Sequence, residues 1–343
     1  MRTMKALVID GYGGPEVMHL REIAVPEPGS GEVLVRVAYA GINFMDIHTR
    51  QGKYRVSRSY PVRAPCTLGM EGAGTVVAVG EGTRRVRVGD RVAWCIAWGS
   101  YATYACVPEH RLARLEPDMP FDLAAASIFQ GSTAHYLVND VARLGPGMTC
   151  LVHAAAGSIG QWLVQLATRR GAIVIATASS AEKRAIATDL GATAAFGYDE
   201  GGFADAVREA TGGHGVDVVF DPVGRSTLRD SFRATRTRGL VVNYGNVSGS
   251  LTDLDPIELG EAGSLFLTRP RLTDHLVDAQ TVQRRADELF EAVLRGGLQV
   301  PLDPRRYTLD DVHVAHERLE GRMQIGKPLL VPVAGVGRAW EDA

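Results

Sequence analysis

Between Leu151 and Gly160 the chain reads Leu-Val-His-Ala-Ala-Ala-Gly-Ser-Ile-Gly, an apolar run that enters a small-residue turn and leaves it as a helix. Small residues let a main chain approach a pyrophosphate closely. A helix that starts there aims N–H groups and its positive dipole end at the phosphates. Gly157 allows the close approach, and Gly160 lets the helix pack tightly on the strand. Ala155 stands where the first glycine of the usual fingerprint would be. A tight turn that binds nothing would use similar residues, but strand, turn and helix in this order mark a dinucleotide site. The next strand ends Thr177-Ala178-Ser179-Ser180, with no carboxylate to hold a ribose 2′-hydroxyl, and Lys183 and Arg184 follow within one helical turn. Hydroxyls and a cation suit a 2′-phosphate, so the expected cofactor is NADPH rather than NADH. Glu182 is expected to favour the helix dipole and Arg184 to lie on the surface.

Other chemistries find less support. Cys66, Cys95, Cys106 and Cys150 are widely and irregularly spaced, which suits buried reduced thiols better than a disulfide framework or a structural zinc site. Lysine plus arginine is 37 against 39 for aspartate plus glutamate, and this balance builds no phosphate-tracking surface for nucleic acid. The amino terminus has no signal-peptide core, and no apolar run approaches the roughly 20 residues of a membrane span. A soluble, cytoplasmic protein without membrane or nucleic-acid partners is expected.

The elements that would position these residues divide the chain. Over the first 120 residues short strands recur between Gly and Pro turns, at Lys5–Ile9, Glu32–Ala38, Gly74–Val79, Asp90–Ala93 and Tyr101–Val107, as in a barrel or sandwich. From about residue 125 strands alternate with helices. The strands are Met148–Ala154, Ile173–Thr177, Ala194–Gly197, Val216–Asp221, Gly239–Tyr244 and Ser264–Thr268; the helices are Ile159–Arg169, Ala181–Leu190 and Phe203–Thr211. That alternation implies a doubly wound parallel sheet in an α/β protein. The tail, with helices at Val282–Arg295 and Leu309–Leu319 and a strand at Pro328–Val333, is too small to stand alone and is expected to complete the first domain. The division is therefore 1–124, 125–268 and 269–343.

Seven collinear motifs carry a resemblance: GGPEV at 13–17, AGINFMD at 40–46, GMEGAGTVVAVG at 69–80, HAAAGSIG at 153–160, FDPVG at 220–224, YGN at 244–246 and TRP at 268–270. Together they resemble the zinc-independent, zeta-crystallin-like NADPH:quinone oxidoreductases of the medium-chain dehydrogenase/reductase superfamily. The resemblance implies a GroES-like β-barrel catalytic domain, split in sequence around a Rossmann domain, with NADPH in a cleft between them. Zinc members of that superfamily carry a catalytic cysteine near Asn43 and a Gly-His-Glu near residue 69. Here Ile42-Asn43-Phe44 and Gly69-Met70-Glu71 stand instead, so no metal site is expected. The resemblance also carries a 2′-phosphate site onto Lys183, Tyr198 and Arg322, and the ribose onto Thr177, Ser179 and Ser180. It places Ala156, Gly157, Ser158 and Ile159 at the pyrophosphate and Asn43 and Asp46 at the nicotinamide. Gln130, Val223, Tyr244, Asn246, Phe266 and Thr268 complete the cradle.

The implied reaction is hydride transfer from NADPH to a quinone. Negative charge then gathers on the quinone oxygen, and hydrogen-bond donors must stabilise it. Asn43 and Tyr54 are the expected donors, with Tyr54 also a proton source or else a rim aromatic. Asp46 would hold loop or substrate, or cap the helix that begins there. The rival acceptor is an activated C=C bond, in an enone or enoyl thioester. The choice rests on a pocket built from loops around 44–66, 94–100 and 269–285, where one of Trp94 and Trp98 is expected in the core and one in the wall. A rival of another class is a non-catalytic, NADPH-binding or RNA-binding crystallin-like protein, and the near-neutral charge counts against RNA. The family also implies a homodimer through Ser264–Thr268 as a sheet edge.

Overall fold

Along Glu32–Gly41 (EVLVRVAYAG) apolar residues dominate, and Val33, Val35, Val37 and Ala40 are buried in one core with Leu7, Ile9, Val76, Val92, Trp94 and Leu330. This strand is the hub of a seven-stranded sheet. The order is Leu302–Thr308, Lys327–Val331, Glu32–Gly41, Glu71–Val79, Arg91–Cys95 and Leu112–Arg114, with Tyr104–Pro108 also on the hub. Its pairings are antiparallel except that of Leu302–Thr308 with Lys327–Val331. A three-stranded sheet of Met18–Ala24, Thr3–Ile9 and Cys66–Thr67 accompanies it. The computed structural model describes residues 2–198, 202–321 and 323–333.

Four of these strands are absent from the sequence expectation: the short Cys66–Thr67 and Leu112–Arg114, and two longer ones. Met18–Ala24 (MHLREIA) is half exposed and charged, and Leu302–Thr308 (LDPRRYT) contains a proline and two arginines. Both are edge strands, where proline and charge are tolerated.

The second sheet is parallel throughout, in the order Ala194–Phe196, Ile173–Thr177, Thr149–Val152, Val216–Asp221, Thr235–Asn243 and Phe266–Thr268. That is the 3-2-1-4-5-6 order of the dinucleotide-binding fold. Its central strands Thr149–Val152, Ile173–Thr177 and Val216–Asp221 are largely apolar and buried because both faces are covered. Leu151, Ile175, Val219 and Val241 pack with Phe203, Val207 and Phe232 from the helices Phe203–Ala210 and Leu228–Ala234. The expected helices appear as Ser158–Arg169, Ala181–Asp189 and Phe203–Ala210.

The chain forms two compact units, Met1–Ser132 with His275–Ala343, and Thr133–Asp274. The first boundary falls inside the helix Phe121–Tyr136 rather than after residue 124, and the second falls after Asp274 rather than after 268.

Candidate functional site

In the barrel unit three strand ends converge. The hub strand runs antiparallel to Glu71–Val79 and to Lys327–Val331, with Ala40 opposite Gly72 and Gly41 opposite Leu329. Its end at Gly41 therefore lies beside the starts of the strands that open with Glu71 and Lys327. Both side chains are fully buried, with Lys327 Nζ 2.5 Å from Glu71 Oε2. A methyl group at Gly41 would stand 2.1 Å from Glu71 Oε2 and 2.8 Å from Lys327 Cε, so the pair needs glycine there. Glu71 Oε1 accepts the Phe129 N–H at 2.8 Å.

Asn43 closes this cluster. Its Oδ1 accepts from Lys327 Nζ at 2.7 Å, and its Nδ2 faces Glu71 Oε2 at 2.9 Å and Gly41 O at 3.4 Å. The amide expected to donate to an acceptor is thus engaged inside the protein. Asn43 also caps the helix Phe44–Arg50, and Asp46 Oδ2 accepts its N–H at 2.8 Å. The capping role foreseen for Asp46 is present, but a second donor also reaches it, the Tyr101 hydroxyl at 3.1 Å. Asp46 is fully buried and its Oδ1 has no partner. Burial pushes its carboxyl up to about 7, against the pull of the Asn43 N–H and the Lys327 charge.

Tyr54 is half-buried, beyond the end of that helix. Its hydroxyl lies 3.2 Å from His48 Nδ1, and its ring stands 5.5 Å from Tyr60 and 6.5 Å from Trp98 between centroids. Trp94 is fully buried in the core, the setting expected for one of the two indoles, and Trp98 joins Tyr54 in a half-buried aromatic group. Gln130, on the helix Phe121–Tyr136, is buried with Oε1 lacking a partner. A buried polar atom without a partner costs free energy, so Gln130 Oε1 and Asp46 Oδ1 fit a ligand that brings its own polar groups.

In the second unit the expected cofactor residues gather past the carboxyl ends of the parallel strands. Ala156, Gly157, Ser158 and Ile159 follow Thr149–Val152; Ser179, Ser180 and Lys183 follow Ile173–Thr177; Tyr198 follows Ala194–Phe196. Val223 follows Val216–Asp221, and Tyr244 and Asn246 follow Thr235–Asn243. Strand order reverses between Thr149–Val152 and Val216–Asp221, and ligands of such sheets bind at that point. Gly157 is the exposed N-cap of the twelve-residue helix Ser158–Arg169. A methyl group there would touch only Ala154 O at 3.1 Å, so its outer side is open. At Gly160 a methyl group would meet Ala154 O at 2.3 Å and Ala155 Cα at 2.7 Å, as its packing role requires. These features fit a pyrophosphate.

Two cofactor residues sit differently from expectation. Thr177 is fully buried, its hydroxyl 2.7 Å from His153 Nδ1, so it supports the cradle from beneath. Phe266 is 60% exposed and pairs with Leu240, below the carboxyl rim that Thr268 approaches. Arg322 lies outside the described residues.

The sequence did not single out the framework under the cradle. His153 Nε2 lies 3.0 Å from Ser231 Oγ, which donates to Asp221 Oδ2 at 2.9 Å. Asp221 Oδ1 accepts from Val223 N–H at 2.7 Å and Gly224 N–H at 2.9 Å, fastening the turn after its strand. Burial pushes His153 down, so it is a neutral member of this network. Tyr198 stacks on His153 and accepts the Ala154 N–H at 2.8 Å, at a residue whose φ is 51°. Lys327, Tyr101, Arg50 and His316 were also missed; the only signal was a charged or polar residue inside or beside an apolar run.

Among the described residues no group of three or more His, Cys, Asp or Glu side chains could hold a metal ion, and no helix is long and apolar enough to cross a membrane.

The family described as Alcohol dehydrogenase GroES-like domain matches residues 29–117, and that described as Zinc-binding dehydrogenase matches residues 158–291. The chain is 38% identical to a quinone oxidoreductase of Salmonella typhimurium over 323 residues, 94% of this chain and 97% of that protein. It is 36% identical to a 2-haloacrylate reductase of a Burkholderia species over 334 residues, 96% and 99% of the two. The structure of Escherichia coli quinone oxidoreductase complexed with NADPH matches with a TM-score of 0.91 at 34% identity, covering 96% of this chain and 100% of that one.

Proposed function

From the premise that this chain belongs to the quinone oxidoreductase family of the medium-chain dehydrogenase/reductase superfamily, we propose that it transfers hydride from NADPH to a quinone. The observation that carries the proposal is the open, glycine-capped helix end at the strand-order switch point, beside a strand end with hydroxyls and Lys183 but no carboxylate. Gly157 and its neighbours would hold the pyrophosphate, and Ser179, Ser180, Lys183, Tyr198 and Arg322 the phosphorylated ribose. Gln130 and Asp46 would offer acceptor atoms to the nicotinamide amide.

When bound, NADPH supplies the hydride. The chain's own task is to orient the reactants, exclude water and stabilise charge on the reduced oxygen. Tyr54, whose hydroxyl also meets His48 Nδ1, would be the donor; the Asn43 amide is held by Lys327 and Glu71. Asn43 instead fixes the start of the helix that bears Asp46. The reaction is zinc-independent in this proposal: an amide and a fully buried Met70 stand where the zinc members have ligands. Cys66, Cys95, Cys106 and Cys150 are free thiols, which suits a reducing cytoplasm. The edge strand Phe266–Thr268, with an exposed phenylalanine, suits pairing with a second copy.

The second reading is reduction of an activated C=C bond, which the 2-haloacrylate reductase relative favours. A purified-enzyme panel separates the two: NADPH and NADH, each with a para-quinone, an enone and an enoyl thioester, with and without a chelator. The proposal expects the highest kcat/KM for NADPH with the quinone, unchanged by the chelator. A preference for the enone or thioester overturns the acceptor, and loss of turnover restored by zinc overturns the metal-free chemistry.

A further inference from the structure

The helix that bears Asp46 ends in a fully buried arginine, and side chains from elsewhere in the barrel unit join the two. Arg50 Nη2 donates to both oxygens of Glu320, at 2.7 and 2.8 Å, and its Nη1 lies 3.4 Å from His316 Nδ1. His316 Nε2 lies 3.3 Å from the Tyr101 hydroxyl, which in turn donates to Asp46 Oδ2 at 3.1 Å. The Glu320 side chain is 31% exposed and that of Arg50 is fully buried, so the chain runs inward from the surface to Asp46.

Its direction follows from the chemistry of the donors. A guanidinium only donates, so His316 Nδ1 must accept from Arg50. The single hydrogen of the neutral imidazole is then on Nε2 and points at the Tyr101 oxygen, and the tyrosine hydrogen is left for Asp46. The ring is neutral, because burial first and the Arg50 charge second push His316 down to about 3. Every link donates towards Asp46. The chain does not conduct a proton inward, because Arg50 releases none to refill it.

Asp46 meets charge from other directions as well. Lys327 favours its ionised form and Glu71 opposes it, each from the start of its own strand, and the Asn43 N–H donates from the helix cap. The chain from Arg50 occupies Oδ2 and leaves Oδ1, buried and without a partner, for a ligand.

Resting on the hydride-transfer function proposed above, we propose that Tyr101, His316 and Arg50 are positioning residues. They lock one oxygen of Asp46, set the pH range in which it is ionised, and so set the pH dependence of cofactor binding and turnover.

The test begins with infrared titration of the full chain without cofactor, the Asp46 acid carbonyl band being the one lost in Asp46→Asn. The wild-type midpoint should lie at about pH 7. Tyr101→Phe keeps the ring and removes the donated hydrogen, so it should raise the midpoint by about one unit. His316→Leu should shift it the same way, and His316→Gln, whose amide can still donate to Tyr101, should restore it. The NADPH dissociation constant and kcat/KM, followed across the same pH range, should move with the band. Thermal unfolding of each variant establishes that it is folded. An unmoved band in folded Tyr101→Phe overturns the proposal, and so does a shifted band with an unmoved NADPH-binding profile. If neither quinone nor enone turns over at any pH, the hydride-transfer function fails instead, and the band and the binding profile still decide the role of the chain.

Discussion

Lys327 and Glu71 are fully buried, and each is the counter-charge of the other. Removing one partner leaves a buried charge uncompensated, which costs about 3–5 kcal/mol. Removing both costs the hydrogen bonds to Asn43 and Phe129, about 1–3 kcal/mol for each group left unsatisfied. Urea unfolding of Lys327→Met, Glu71→Leu and the double variant should therefore show strong coupling, with the double variant no less stable than the weaker single. Additive losses would mean that the two side chains act independently. This centre was hard to read from the sequence because its members lie 256 residues apart, and a lone lysine at the head of an apolar strand resembles an exposed strand end. Asn43 and Asp46 were legible as a motif, but the direction in which the Asn43 amide is spent was not. Hydrogen-bond partners so distant in sequence are set by strand order and not by local spacing.

At the scale of elements, the strand–turn–helix at Thr149–Arg169 can be separated into folding and binding parts by its two glycines. Gly160→Ala would drive a methyl group into backbone at 2.3 Å and should cost about 1–3 kcal/mol of stability. Gly157→Ala meets only one atom, at 3.1 Å, so it should leave the unfolding midpoint nearly unchanged while weakening NADPH binding through a methyl group where phosphate would approach. Fluorescence titration with NADPH beside thermal melts checks both. Equal binding by wild type and Gly157→Ala would remove the pyrophosphate from this helix end. The parallel sheet was legible because its strands are short apolar runs between amphipathic helices, and Ile173–Thr177 and Val216–Asp221 match residue for residue. The helix Phe121–Tyr136 was not, because from Ala124 to Tyr136 every residue is buried and no polar face marks its period. The edge strands Met18–Ala24 and Leu302–Thr308 were missed for the opposite reason, being polar enough to read as loops.

For the whole molecule, the two ends of the Asp46–Tyr101–His316 chain titrate in opposite senses, and their effects on stability oppose each other. The Asp46 carboxyl is raised from 3.8 to about 7, so between those values the folded protein holds a proton that the unfolded chain has lost. Its contribution is present at acid pH and is lost as pH rises through that window, by roughly 4 kcal/mol at about 1.4 kcal/mol per unit. His316 is lowered from 6.5 to about 3, so over that range the unfolded chain holds the extra proton. Its contribution is present above the unfolded value and is lost as pH falls, by roughly 5 kcal/mol at the same rate per unit. Between about pH 4 and 6.5 the two slopes nearly cancel in the wild type. Substituting one partner should expose the other. Measured by urea unfolding, the stability of Asp46→Asn relative to wild type should climb with pH across this window. That of His316→Gln should fall across the same window. Parallel, flat difference curves for the two variants would show that neither group carries its shifted ionisation into the folded state.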